Sequence, residues 1–278
     1  RGGGRGPARP QPHPMTPGGA FYRQEGGRYL SSELTRGPWS PQHQHGGPPL
    51  ALLAGVVERF GEDASVWNLA RLCVELRRPV PVAPLRVEVL EEHRGASAQR
   101  LIGRLFAGEQ LVVEARALRL RVRPLELPAA PALEVWPAPE EVEPYRMSFF
   151  PWSPAYPEGV EVRLVHGAWG STPIGFWTRP SVPLVEGETT SPLEALALLA
   201  DAQSGMGVPV DPERWSFVNP NVDLHFARPP RGPWIGFDIR SQADPSGMGL
   251  SHSRIRDLHG AVGLSVQCMV IAERGVTS

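Results

Sequence analysis

Apolar residues recur at every second position through much of the first half of the chain. In "LRVEVLEEHR", Leu85, Val87 and Val89 alternate with Arg86 and Glu88. In "EQLVVEARALRLRV", Leu118, Leu120 and Val122 alternate with Arg119, Arg121 and Arg123. A period of two is that of a strand with one buried face, and it predicts the arginines on a solvated face. "VWNLARLCVEL" and "AQRLIGRLF" read as strands too, and so does the short stretch over residues 19–37, with "AFYRQ" and "RYLSSEL" around a Gly-Gly turn. Between that stretch and the longer strands, "LALLAGVVERF" is apolar nearly all round, as a buried helix would be. It follows Pro48-Pro49 and stops at Gly61.

The same order returns later. "VEVRLVHG" and "IGFWTRP" read as strands, and "TTSPLEALALLADAQSG" as a helix over about residues 191–204. Ser191 caps it, Pro192 fits its first turn, Glu194 completes a capping box and Gly205 ends it. Four further strands are predicted in "WSFVNPNVDLHFARPP", "PWIGFDIRSQA", "MGLSHSRIRD" and "VGLSVQCMVIAE". "VELRRPVP" lies over "VDLHFARPP", with Arg78-Pro79 matching Arg228-Pro229, so the chain is internally duplicated with a period of roughly 150 residues. Between the halves, residues 124–158 are thick with proline and lack a sustained period. They read as a linker packed through Trp136, Phe149, Phe150 and Trp152. Residues 1–18 read as a disordered segment, with Met15 the expected natural start.

Composition narrows the chemistry. The 278 residues carry a net charge of −1, so no polyanionic partner such as a nucleic acid is indicated. All the basic residues counted with lysine are arginine, which excludes Schiff-base lysine chemistry. The two cysteines, Cys73 and Cys268, sit among apolar residues and are expected as buried thiols, not as a disulfide or a zinc site. No apolar run reaches the ~20 residues of a membrane span. The N-terminal residues lack the apolar core of a signal peptide, and a cytoplasmic protein is expected. His43 and His45 form an H-x-H without a third ligand nearby in sequence, so neither metal nor other cofactor is expected. G-x-S-x-G, G-x-G-x-x-G and P-loop patterns are absent from the sequence.

The duplicated order of elements, "HGGPPLALLA" at the first helix entrance, and the stretch from "FVNPNVDLHFARPP" to "HGAVGLSVQ" together resemble the acyl-CoA thioesterase II family. The resemblance covers roughly residues 19–273. It implies an α+β double hotdog: two units, residues 19–123 and 159–278, each a buried helix wrapped by a curved antiparallel sheet. It implies an acyl-CoA substrate and leaves room for a homo-oligomer; a thioester is activated enough to need no covalent nucleophile, and without a spanning apolar run no membrane partner is expected.

In that family an Asp, a Ser or Thr, and a Gln hold the attacking water, and backbone N–H groups near a helix start hold the thioester oxygen. Carried onto this chain, the Gln falls on Gln267, the Ser/Thr position on Gln242 with Ser241 as its one-residue alternative, and the Asp on Asn221. An amide cannot take a proton from water as a carboxylate does. Asp223, two residues along the same strand, and Asp201, at the end of the second helix, are therefore alternative bases. His45, Gly46 and Gly47 at the first helix entrance, with Ser204 and Gly205 at the second helix end, are the expected substrate contacts. Two other functions stay open. A hotdog hydratase or dehydratase would need a His beside a carboxylate, with His45 or His225 as candidates, and a non-catalytic acyl-CoA binder would explain Asn221.

Overall fold

A computed structural model describes residues 19–61, 63–128, 134–147 and 149–274. The N-terminal segment read as disordered lies outside the described residues. In chain order the strands of the first half are β1 (Tyr22–Glu25), β2 (Arg28–Ser31), β3 (Trp67–Leu76), β4 (Leu85–Arg94), β5 (Ala98–Ala107) and β6 (Gln110–Arg121). Helix α1 (Gly47–Glu58) stands between β2 and β3. Then come β7 (Pro144–Tyr145), β8 (Val160–His166), β9 (Ile174–Pro180), α2 (Pro192–Ala200), α3 (Gln203–Met206), β10 (Trp215–Val218), β11 (Asn221–Phe226), β12 (Ile235–Ala243), β13 (Met248–Asp257) and β14 (Gly260–Glu273).

The strands form one sheet in the order β1-β2-β4-β5-β6-β3-β11-β14-β13-β12-β9-β8-β7, with β10 on β14. Its middle is the pair β3–β11, antiparallel, with Val74 opposite Val222 and Leu72 opposite Leu224. These are the two segments that carry the duplication. The halves therefore meet through their equivalent strands, and the sheet runs unbroken across the junction. Inside the sheet α1 packs on α2, and Leu50, Leu53, Ala54 and Val57 of α1 are buried with Leu196, Leu198 and Leu199 of α2. This is the double hotdog arrangement.

Local chemistry accounts for both helices. Ser191 Oγ accepts from Glu194 N–H at 3.1 Å, and Glu194 Oε2 accepts from Ser191 N–H at 2.8 Å, the expected capping box. In α1, Pro48 and Pro49 occupy the first turn, where their missing N–H groups would have had no helical partner.

Four details differ from the sequence reading. The parity of β6 is inverted at its end: Arg119 is 1% exposed, while Leu120 and Val122 are 44% and 43% exposed. Val113, Ala115 and Ala117 face inward, and since the bulge of β6 lies before Val113, the regular alternation after it carries Arg119 with them. Its buried guanidinium is satisfied by the carbonyls of Phe60 at 2.9 Å and Ala64 at 3.1 Å. Cys268 is exposed and Cys73 only half-buried, because each sits between two inward-facing residues. The second helix stops at Ala200, and a short helix follows over Gln203–Met206. The segment over residues 215–230 is two strands, broken at Asn219-Pro220. Pro220 has no N–H for the ladder, and the break turns Asn219 out of register.

Candidate functional site

The entrance of α1 meets the end of α2, one from each hotdog unit. The approach is close enough to exclude side chains: a Cβ on Gly46 would lie 2.6 Å from Asp201 Oδ1, and one on Gly47 would overlap the carbonyl of Leu198. The two glycines thus serve the close contact of the helices. Because Pro48 and Pro49 carry no N–H, and Leu50 N–H already donates to Gly46 O at 3.1 Å, Gly47 N–H is left as an amide of the first turn without a helical acceptor.

That N–H meets His45 Nδ1 at 3.1 Å, and the same nitrogen lies 3.1 Å from Asp201 Oδ2. One nitrogen cannot accept from Gly47 and donate to Asp201 at once. His45 therefore has two neutral forms. With the proton on Nδ1 it donates to Asp201, frees the Gly47 N–H and leaves Nε2 as a base. Burial pushes the His45 imidazole below its ordinary pKa, and the Asp201 carboxylate opposes this only in part.

The histidine is held from several sides. Its own N–H donates to Thr35 O at 2.7 Å, and its ring stacks on Tyr156 with centroids 3.9 Å apart. Tyr156 in turn donates to Leu198 O at 3.1 Å. The preceding Gln44 accepts from Tyr22 OH at 2.5 Å and donates to Ser31 Oγ and Pro81 O at 2.7 Å each. Asp201 is held as firmly. Asn219 Nδ2 donates to its Oδ1 at 2.7 Å, and Gln267 Nε2 donates to the neighbouring Ala200 O at 2.8 Å. Asp201 is 5% exposed.

A cavity of about 370 Å³ opens over this group. His45, Gly46, Asp201, Ser204, Gly205 and Asn219 line it on one side. Trp39, Phe149, Phe150, Trp169 and Phe217 form its apolar wall, with Met147 and Met206. Trp39 and Phe217 touch edge to face at 5.3 Å, and Phe149 lies against both Phe217 at 5.7 Å and Trp169 at 5.8 Å. Part of this wall comes from the proline-rich connection between the halves. An apolar cavity with a few convergent polar groups at one end is the form of a small-molecule site.

The structure brings together His45, Gly46, Gly47, Asp201, Ser204 and Gly205. It does not bring Asn221, Gln242 and Gln267 to one point. Gln267 is fully buried and faces the helices. Asn221 and Asp223 lie on the opposite face of the sheet, since Val222 and Leu224 between and after them face the core. There Asn221 donates to Asp223 Oδ2 at 3.1 Å and accepts from Cys268 N–H at 2.9 Å. Gln242 is exposed, whereas its neighbour Ser241 faces inward and donates to Ser251 Oγ at 2.9 Å. Ser251 stands opposite Gln267 across the ladder. His225 is exposed on the outer face with Asn221 and Asp223. Tyr156 and Gln203 escaped the sequence reading. Gln203 is the first residue of α3, and its side chain reaches β13, where Nε2 donates to Ser251 O at 3.1 Å and Oε1 accepts from Ser253 Oγ at 2.8 Å. A buried amide in "DAQSG" was the available signal.

Among the described residues no helix is long and apolar enough to cross a membrane. Comparison with known proteins bears on the family and the fold. The family model for the acyl-CoA thioesterase N-terminal domain matches residues 35–120, and that for the C-terminal domain matches residues 130–271. No curated protein matches the sequence. Among solved structures, an acyl-CoA thioesterase II from Mycobacterium marinum is 16% identical with a TM-score of 0.64, over 92% of this chain and 96% of that one. A conserved protein of hot dog fold from Alicyclobacillus acidocaldarius is 14% identical with a TM-score of 0.68, over 92% and 96%. The tesB protein of Mycobacterium avium subs paratuberculosis is 15% identical with a TM-score of 0.63, over 88% and 92%. At these identities the structures speak for the fold, and the two domain matches, in order and together spanning most of the chain, make it a member of the acyl-CoA thioesterase family.

Proposed function

We propose that the cavity hydrolyses acyl-CoA thioesters, with Asp201 and His45 as the water-activating pair. The observation that carries this reading is the junction of Asp201, His45 and Asn219 at the α1 entrance, inside an apolar cavity of a thioesterase-family chain. The thioester oxygen is taken at the α1 entrance, where Gly46 lines the cavity at the positive end of the helix. Water attacks the carbonyl carbon, its proton passes to the Asp201–His45 pair, the C–S bond breaks and the proton is returned to the leaving thiolate. The products are a free acid and a free thiol. Ser204 Oγ lies 3.5 Å from both Asp201 O and Asn219 Oδ1, and it has no role as a nucleophile in this scheme.

Release of free thiol from a panel of acyl-CoA thioesters tests the reading. It is lost if wild-type protein releases none, or if Asp201→Asn releases thiol as fast as wild type.

One observation favours a second reading, reversible hydration of an enoyl-thioester: a histidine and an aspartate share the cavity. That reaction changes the double bond of the acyl group and sets no thiol free. Following absorbance of the conjugated enoyl-thioester beside the thiol assay separates the two.

A further inference from the structure

The duplication leaves an arginine at the same place in each half. Arg78 follows β3 as Arg228 follows β11, and a proline comes next in both. The two arginines are treated differently. Arg228 gives Nη1 and Nη2 to the two oxygens of Asp257 at 2.7 Å each, and Nη2 also to Gly260 O at 3.0 Å. Asp257 is the last residue of β13, and the last residue of the equivalent strand β5 is Ala107. The half that holds Arg78 therefore lacks the carboxylate that locks its twin. Among the described residues, no side-chain hydrogen bond or ion pair engages Arg78.

Arg78 also lines the cavity, and it is exposed there. The charged side chains of the lining are Arg77, Arg78 and Asp201. Arg77 is matched by Glu114 at 2.9 Å and Glu75 at 3.3 Å, and Asp201 is tied to Asn219 and His45. Arg78 is the uncompensated charge. Its backbone does not wander, because the N–H groups of Arg77 and Arg78 both donate to Val112 O, at 3.0 and 3.3 Å. A guanidinium on a pinned backbone, at the rim of a cavity whose polar end suits a thioester, is suited to a phosphate oxyanion.

We propose that Arg78 anchors the phosphate at the head of the pantetheine arm of the substrate. This rests on the thioesterase reading of the same cavity. Two sources share that chemistry: the nucleotide phosphates of CoA, and the single phosphate of a 4′-phosphopantetheine arm. The acyl-CoA source follows the family.

The test compares one acyl group presented on CoA, on 4′-phosphopantetheine and on pantetheine, with wild type, Arg78→Ala and Arg78→Lys, by thiol release. A lost charge-assisted hydrogen bond corresponds to about tenfold or more in affinity. Arg78→Ala is expected to raise KM for acyl-CoA about tenfold, with much less change in kcat. The preference for acyl-CoA over acyl-pantetheine shrinks by the same factor, and Arg78→Lys restores part of it. Equal loss on the 4′-phosphopantetheine substrate assigns the contact to the shared phosphate, and loss on CoA alone assigns it to the nucleotide. The proposal is overturned if wild type does not distinguish acyl-CoA from acyl-pantetheine, or if Arg78→Ala weakens both alike. Calorimetric titration with CoA itself reads the anchor without turnover. If no thioester is hydrolysed but CoA binding still falls about tenfold in Arg78→Ala, the catalytic reading fails and the anchor stands; unchanged CoA binding removes the anchor.

Discussion

His45 Nδ1 lies 3.1 Å from Asp201 Oδ2, and this contact joins the helix entrance of the first hotdog unit to the helix end of the second. Neither unit alone contains the pair. The pair forms where α1 begins and α2 ends.

The first prediction concerns the carboxylate. Asp201→Asn keeps the hydrogen-bonding shape but not the proton acceptor, and is expected to lower kcat by ~10²–10⁴. Asn221→Asp and Asp223→Asn alter the outer face of the sheet and are expected to leave thiol release within about twofold, well below the effect of removing a base. A rise in activity in Asn221→Asp would restore the strand position as the base.

Acid pH should switch the site off. Burial lowers the His45 pKa, so the neutral form persists below the ordinary value of about 6.5. The sign for stability follows. The unfolded chain binds the proton first, so the contribution of neutral His45 is complete above about pH 6.5 and is lost as pH falls through the folded value. The kcat/KM profile should show an acid limb below about pH 6.5, and His45→Gln should remove that limb along with most of the rate. An acid limb that survives unchanged in His45→Gln assigns it to another group.

Gly46→Ala places a methyl against the Asp201 carboxylate, and Gly47→Ala places one against the Leu198 carbonyl. Side-chain displacement is cheaper than backbone displacement. Gly47→Ala is expected to cost about 1–3 kcal/mol in denaturant unfolding, whereas Gly46→Ala should lose activity with a smaller change in stability. Equal stability with full activity in both would refute the close helix contact.

Gln267 ties the end of α2 to the sheet through Ala200 O. Gln267→Leu leaves that carbonyl unpaired in the interior, and a loss of about 1–3 kcal/mol is expected with a fall in kcat as Asp201 loses its support. Unchanged melting and unchanged kcat would mean that the hydrogen bond does not position the site.

Phe149 packs against Trp39, Phe217 and Trp169 in the cavity wall. Phe149→Ala should enlarge the slot and move the preferred acyl group toward longer chains, read as kcat/KM over chains of increasing length. A uniform loss across the series would make Phe149 structural only.

The sequence by itself determined the elements and their duplication, because these follow from local rules. The period of two named the strands, the Ser191–Glu194 box and the prolines placed the helix starts, and the Arg-Pro repeat related the halves. It also singled out His45, Gly46 and Gly47, since a helix start can be read from a few adjacent residues. Only the tertiary structure decided which face of each strand is buried. Arg119 turns inward and Asn221 outward because the parity of a strand is set by the packing of its whole length, not by the polarity of one residue. The partner of His45 was equally illegible. Asp201 is distant in sequence and reaches it only because α1 and α2 pack side by side and antiparallel, the start of one beside the end of the other, and Asn219 joins them only because Pro220 breaks a strand. The cavity wall draws on Phe149 and Phe150 from a segment without any sequence period. Convergence in space depends on packing between elements, and no local pattern encodes it.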